Sequence, residues 1–304
     1  MRSSWGYPAA TCCTVLRAYK SYYPASVDDH RYAWRAAAYL GVAKRSASMS
    51  TVLHLTNISL SNRLQVDSLH AVKGECIHLL GPNGAGKSSL MAVIAGLIAP
   101  EQGEVVLCDK SLSTWSLAEL ASLRTMLSQQ LESNFALRVG EYLSFYAHSH
   151  RDNLLVPVML ERALEVKSFL YKPLTHLSGG ERQRVEICRA LLQIWPQLEI
   201  GEGIAILDEP LQGLDIRHQY AVATLIQALC AKGNTIIMSS HDIALSANYS
   251  TSLWLMNKGR IVASGAPHSV ATQHNLERGF ECHFLISKKK NFLEIQVCAP
   301  ITLP

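Results

Sequence analysis

One run of eight residues constrains this chain more than any other: Gly81-Pro82-Asn83-Gly84-Ala85-Gly86-Lys87-Ser88, a complete G-x-x-x-x-G-K-[ST] phosphate loop. It follows the apolar run Cys76-Ile77-His78-Leu79-Leu80, which reads as a buried strand, and precedes residues 89–97, which read as a helix beginning at Ser89. That strand, loop and helix context is what the motif requires. The glycines let backbone amides turn inward around a polyphosphate, and the helix start adds unsatisfied N–H groups. Lys87 can then reach the terminal phosphates while Ser88 ligates magnesium. A nucleoside triphosphate site in an α/β fold is the first expectation.

A second anion-binding device lies downstream. Leu177-Ser178-Gly179-Gly180-Glu181-Arg182-Gln183-Arg184 places a hydroxyl and two glycines before a helix expected over 181–192, so exposed amides sit at a positive helix end. Taken alone this is an N-cap with a flexible turn. One triphosphate cannot easily use both this device and the Lys87 loop of the same chain, so the pair implies a head-to-tail dimer in which each subunit completes the other's site. Ile204-Ala205-Ile206-Leu207-Asp208-Glu209-Pro210 reads as a buried strand ending in two carboxylates. Asp208 suits magnesium beside Ser88, and Glu209, pointing differently, suits the attacking water. Gly213-Leu214-Asp215 can close the dimer interface, and Ser240-His241-Asp242, after the buried strand 235–239, offers His241 to the γ-phosphate or the water. Gln129 stands where the chain enters a region of 3.6-residue periodicity, roughly 131–177, read as a helical insertion. It is either a reporter of the terminal phosphate or an ordinary polar loop residue.

With 304 residues and 48% hydrophobic content the chain can bury a sizeable core. The formal excess of +4 belongs to residues 1–48, which hold seven Lys or Arg against two Asp, so the main body gives no argument for nucleic-acid binding. The eight cysteines are scattered without a C-x-x-C pair, and Cys76 and Cys188 sit in apolar patterns as small buried hydrophobes. A reducing cytosol fits. No stretch approaches eighteen uncharged apolar residues.

The elements Gly81 to Ser88, Leu177 to Arg184 and Ile204 to Pro210 stand in the order and spacing of the ABC transporter ATPase subunits, and the resemblance covers about residues 50–282. It implies a P-loop NTPase: a RecA-like core, an antiparallel β-subdomain (51–60 with 64–72) and an inserted helical subdomain. It further implies ATP and Mg2+ as ligands, with Ser88, Gln129 and Asp208 at the metal. Gly81 to Ser89 would hold the phosphates. Ser178-Gly179-Gly180 resembles the signature acting in trans, Asp215 the D-loop, Gln129 the Q-loop glutamine, Glu209 the catalytic base and His241 the switch histidine. Leu127-Ser128-Gln129-Gln130, Leu191-Leu192-Gln193-Ile194-Trp195-Pro196-Gln197 and Met238-Ser239-Ser240-His241-Asp242 resemble the branch of the family that powers vitamin B12 (cobalamin) import, and importers of iron siderophores or haem share parts of them. The partners so implied are a second copy of the chain, two integral-membrane permease subunits and, indirectly, a periplasmic substrate-binding protein, at the cytoplasmic face of a bacterial inner membrane. A non-transport ABC protein acting on nucleic acid or ribosomes is the more distant alternative. One departure stands out: where the family places an aromatic before the β-subdomain to stack on adenine, this chain has Ser61-Asn62-Arg63-Leu64, and Arg63 could supply a planar cationic contact instead.

Residues 1–48 are rich in Trp, Tyr, Arg and Ala without a clean period. They are expected to be an arm without structure, or to precede a functional start near Met49; an amphipathic interaction helix over 33–44 is the alternative. The ATPase domain is expected over 49–282 and a tail over 283–304, with a last strand at 292–297 and Lys288-Lys289-Lys290 as a solvated turn.

Overall fold

The computed structural model describes residues 50–61, 63–128, 137–147, 155–290 and 292–301. The expectations for residues 1–48 and for Gln129 lie outside these residues. Alternation sets the first layer. In strands β1 (Thr51–Leu60) and β2 (Leu64–Val72), side chains such as Leu64 and Val66 turn inward while Gln65 and Asp67 face water. The strand β3 (Cys76–Leu80) then feeds the phosphate loop. With β4 (Gln102–Leu107) and β5 (Lys110–Ser111) the first two strands form an antiparallel sheet in the order β2-β1-β4-β5.

The second sheet holds β6 (Arg124–Leu127), β7 (Ile204–Leu207), β8 (Thr235–Ser240), β9 (Ser252–Asn257) and β10 (Arg260–Gly265) together with β3, in the order β10-β9-β3-β8-β7-β6. It is parallel from β6 to β9, and only β10 runs antiparallel. Every residue of β3, β7 and β8 is buried, as expected of parallel strands covered on both faces. Successive residues serve opposite layers. Ala205 and Leu207 pack with the helix Gly179–Gln193 and the helical insertion, while Ile204 and Ile206 pack with the phosphate-loop helix Lys87–Ile94 and the antiparallel sheet.

Several elements end elsewhere than expected, for local reasons. The signature helix begins at Gly179 rather than Glu181, because Ser178 caps it. Ser178 Oγ accepts the Glu181 N–H at 3.3 Å and the Glu181 carboxylate accepts the Ser178 N–H at 2.9 Å, a reciprocal capping box. Within the insertion the helix Val158–Leu164 stops where Glu165 turns to φ 50°, and a 3-10 turn, Val166–Phe169, follows. After β10 come two short helices, Pro267–Val270 and Gln273–Phe280, the second capped by Thr272. Residues 283–300, expected as a tail, form with Cys282 a two-stranded antiparallel ribbon of β11 (Cys282–Lys289) and β12 (Phe292–Pro300). Phe284, Ile286, Leu293 and Ile295 give it an apolar inner face against Leu253, Leu255 and Leu276. Lys288 and Lys289 lie exposed at its end.

The approach to β7 depends on one buried amide. Asn234, in the turn before β8, accepts the Gly203 N–H at 2.8 Å and donates to the Leu198 and Leu229 carbonyls, each at 2.9 Å. It thereby joins the helix Trp195–Ile200, the end of the helix Ile216–Ala231 and the entry to β7. Each buried polar group left unpaired costs about 1–3 kcal/mol. Asn234→Ala is therefore expected to lower stability by about 2–4 kcal/mol, read as a fall in the urea midpoint with little change in m.

Candidate nucleotide site

Parallel register brings the site together. Leu80 lies opposite Ser240, and Leu207 lies opposite Met238. The loops after β3, β7 and β8 consequently leave the sheet at one edge, the carboxyl edge where open α/β sheets bind ligands. A cleft of about 710 Å3 opens there, lined by Arg63, residues 83–89, Glu209, Gln212, His241, Lys258 and Gly259.

The loop itself is shaped by backbone that side chains would spoil. Gly86 adopts φ 98°, and a Cβ there would stand 3.0 Å from both the Arg63 carbonyl and Met256 Cε. It caps the helix Lys87–Ile94 without a side-chain acceptor, so the first-turn amides face the cleft. Gly81 and Pro82 form the root, where their carbonyls accept Lys87 Nζ at 2.8 and 3.1 Å. Burial pulls the Lys87 ammonium below the usual lysine range, and the nearby Glu209 and Asp208 pull it back up. Lys87, Ser88 and Glu209 line the same cleft.

Asp208 is buried, and Ser239 Oγ donates to its Oδ1 at 2.6 Å. Glu209 follows with φ 50°, an unusual backbone for a residue with a side chain. Its N–H donates to the same Ser239 Oγ at 2.7 Å. Its carboxylate accepts His241 Nε2 at 2.5 Å, so acid and histidine meet as one unit. Gln183, on the signature helix, donates to the Glu209 and Pro210 carbonyls at 3.3 and 3.0 Å.

The other expected residues lie apart from this cleft. Gly180 stands beside the Gly213 carbonyl, which a Cβ would approach to 3.0 Å. The Ser178-Gly179-Gly180 turn and the segment leading to Asp215 are thus neighbours. Asp215 caps the helix Ile216–Ala231 by accepting the His218 N–H at 2.8 Å. His218 Nε2 faces Arg184 Nη1 at 3.1 Å and Arg217 Nη2 at 3.2 Å. Guanidinium nitrogens only donate, so Nε2 accepts and Nδ1 carries the proton it gives to Asp215, at 2.8 Å from Oδ2. Arg217 in turn forms a two-pronged pair with Glu165 at 2.8 and 2.6 Å, and Arg184 donates to the Leu164 carbonyl at 2.8 Å.

Sequence reasoning missed Ser239, Gln183 and His218 as site-supporting residues. Ser239 and Gln183 both lie inside quoted motifs, but their partners stand some thirty residues away and only the register reveals them. Arg63 lines the cleft as its position before β2 suggested.

A family model described as ABC transporter matches residues 64–212. The vitamin B12 import ATP-binding protein BtuD of Yersinia pseudotuberculosis serotype I (strain IP32953) is 37% identical over 238 residues, which cover 77% of this chain and 94% of that protein. Its counterpart from Escherichia coli O139:H28 (strain E24377A / ETEC) is 38% identical over 237 residues, 78% of this chain and 94% of that protein. A solved transporter described as of metal-chelate type, in an inward-facing conformation, matches with a TM-score of 0.65 over 82% of this chain and 98% of its own, at 22% identity, a likeness of fold. The chain belongs to the ABC transporter family of ATP-binding subunits. It is an ATP-binding and ATP-hydrolysing subunit with the mixed α/β fold of that family, and it works with ATP and Mg2+.

Because Gly86 combines a left-handed backbone with close neighbours, Gly86→Ala is expected to weaken ATP binding by about tenfold or more. Titration with a fluorescent ATP analogue would measure it, alongside a melting curve to confirm folding.

Proposed function

We propose that the chain energises vitamin B12 uptake as the ATPase subunit of an importer, working as a head-to-tail pair with two membrane permease subunits and, beyond them, a periplasmic substrate-binding protein. The observation that carries the substrate is the identity to BtuD proteins along 94% of their length. The observation that carries the chemistry is the Glu209 and His241 contact beside the phosphate loop. No helix among the described residues is long and apolar enough to cross a membrane, so coupling to a bilayer would run through the permease, at the cytoplasmic face of the inner membrane. The ATPase domain is taken as residues 49–282, with the helical insertion at about 131–177.

In this reading the loop amides of residues 81–89 and Lys87 hold the phosphates, the ammonium exchanging its bonds to the Gly81 and Pro82 carbonyls for the terminal phosphate. The Ser88 hydroxyl and Asp208 carboxylate are hard oxygen donors of the kind magnesium selects, few in number because substrate phosphates and water complete its shell. Magnesium held there would neutralise charge building on the transferred phosphoryl group. Glu209 orients the water, and His241, donating to its carboxylate, holds that carboxylate toward the cleft and senses the γ-phosphate. Gln129 is assigned to the metal and to sensing on the family resemblance. Ser178, Gly179 and Gly180 of the second copy would cover the γ-phosphate. The Ser178 hydroxyl accepts its own cap bond, which leaves its proton free to donate. Asp215 would lie at that same interface. Arg63 and Lys258 line the cleft and are assigned to the nucleoside.

Glu209→Gln is expected to lower ATP turnover at least about 100-fold while ATP affinity changes little; multiple-turnover hydrolysis near the parent rate would remove Glu209 from this role. For the substrate, the full chain would be expressed in cells that lack their own vitamin B12 import ATPase but keep its permease and binding protein. Labelled cobalamin uptake that requires Lys87 and Glu209 is the expected result. Absence of uptake by a folded, ATP-hydrolysing chain would redirect the assignment to an iron-siderophore or haem importer.

A further inference from the structure

We propose that Ser239 is a positioning residue for ATP hydrolysis, its single hydroxyl fixing the placement of Asp208 and Glu209 relative to one another. Ser239 is 1% exposed and stands one residue beyond Met238, which pairs with Leu207, so it lies level with the first carboxylate after β7. Its Oγ meets Asp208 Oδ1 at 2.6 Å and the Glu209 N–H at 2.7 Å. The direction of both bonds follows from the partners. An amide N–H can only donate and an ionised carboxylate can only accept, so the one hydroxyl proton goes to Asp208 and the oxygen receives Glu209.

Two consequences follow. The bond to Asp208 is charge-assisted and takes up one carboxylate oxygen, which sets the orientation in which the other is offered. The bond to the Glu209 amide holds a residue at φ 50°, where a side chain is disfavoured and the backbone would otherwise relax toward negative φ. Relaxation would swing the carboxylate away from His241 Nε2, now 2.5 Å distant. Ser239 touches no reacting atom, and Gln183 supports the same loop only through the Glu209 and Pro210 carbonyls. A serine that merely filled its place in β8 would influence folding but not the split between substrate binding and turnover.

The inference rests on the assignment of Asp208 and Glu209 made above, and the test separates the two. Steady-state ATP hydrolysis by the full chain would be measured for the parent, Ser239→Ala, Ser239→Thr and Glu209→Gln. Mn2+ binding would be followed by electron paramagnetic resonance, and ATP binding measured in EDTA. Ser239→Ala is expected to lower kcat on the order of tenfold or more, the scale of a misplaced reacting group. KM for ATP and binding in EDTA should stay within about twofold of the parent, and Mn2+ affinity should fall. Ser239→Thr, which restores the hydroxyl, should recover most of kcat. Should the alanine variant fail to fold, Ser239→Cys, similar in size with a weak donor, poses the same question. An alanine or cysteine variant with parent-like kcat and Mn2+ affinity would overturn the inference, as would a loss that follows the fall in melting temperature and is not recovered by threonine. Inactive Glu209→Gln beside an active Ser239→Ala would leave the assignment of Glu209 standing and remove only Ser239. Parent-like turnover by Glu209→Gln would overturn both.

Discussion

Leu80 opposite Ser240 and Leu207 opposite Met238 make β3, β7 and β8 run out together, and the chemistry depends on that shared register. The phosphate loop, the two carboxylates and His241 are far apart along the chain, and no contact among them would persist if one strand slipped. A slip of one residue would also send Ala205 and Leu207 into the layer now filled by Ile204 and Ile206. Packing on both faces of the sheet therefore defends the site. The polar groups at its edge are placed by apolar residues that never meet the ligand.

Within that frame the site is braced by single atoms serving two masters. Ser239 Oγ joins both acids, and His241 Nε2 closes the second of them from the next loop. Lys87 is held on its own loop by two carbonyls. Buried polar groups are costly when unpaired, and here each has a partner that also fixes its direction. Arg63, from the β1 to β2 turn, and Lys258, from the β9 to β10 turn, line the same cleft and give it cationic groups besides Lys87.

Much of this was legible in the amino-acid order, because glycine-rich turns and buried strands have local causes. Thr51–Leu60, Leu64–Val72 and Cys76–Leu80 occur with the expected bounds. Gly86 and Lys87 stand, as their spacing suggested, at the start of a helix that follows a buried strand. What failed to show was whatever depends on pairing at a distance or on one residue's dihedral angle. Nothing local marks Glu165 as the residue that ends a helix by turning to positive φ. The alternation of Phe284 and Ile286 with that of Leu293 and Ile295 is visible in hindsight. The second strand was expected, at 292–297, but the intervening lysines hid the first, although charges suit the exposed tip of a ribbon. Asn248 adds a further reason: its side-chain amide bonds both the N–H and the carbonyl of Leu293, each at 2.9 Å, in the manner of a neighbouring strand. Gln129, read either as a reporter of the terminal phosphate or as an ordinary polar loop residue, lies outside the described residues.

The imidazole of His218 has a mechanical meaning. It grips the Asp215 cap with one nitrogen and receives Arg184 and Arg217 with the other, and through Arg217 it is tied to Glu165 at the end of an insertion helix. Three segments with different addresses in the chain thus share one fulcrum. A rotation of the insertion cannot leave the signature helix and the Asp215 turn at rest without tearing hydrogen bonds at this point. The end of the insertion helix, the helix Gly179–Gln193 and the Asp215 turn are thereby joined at a single ring.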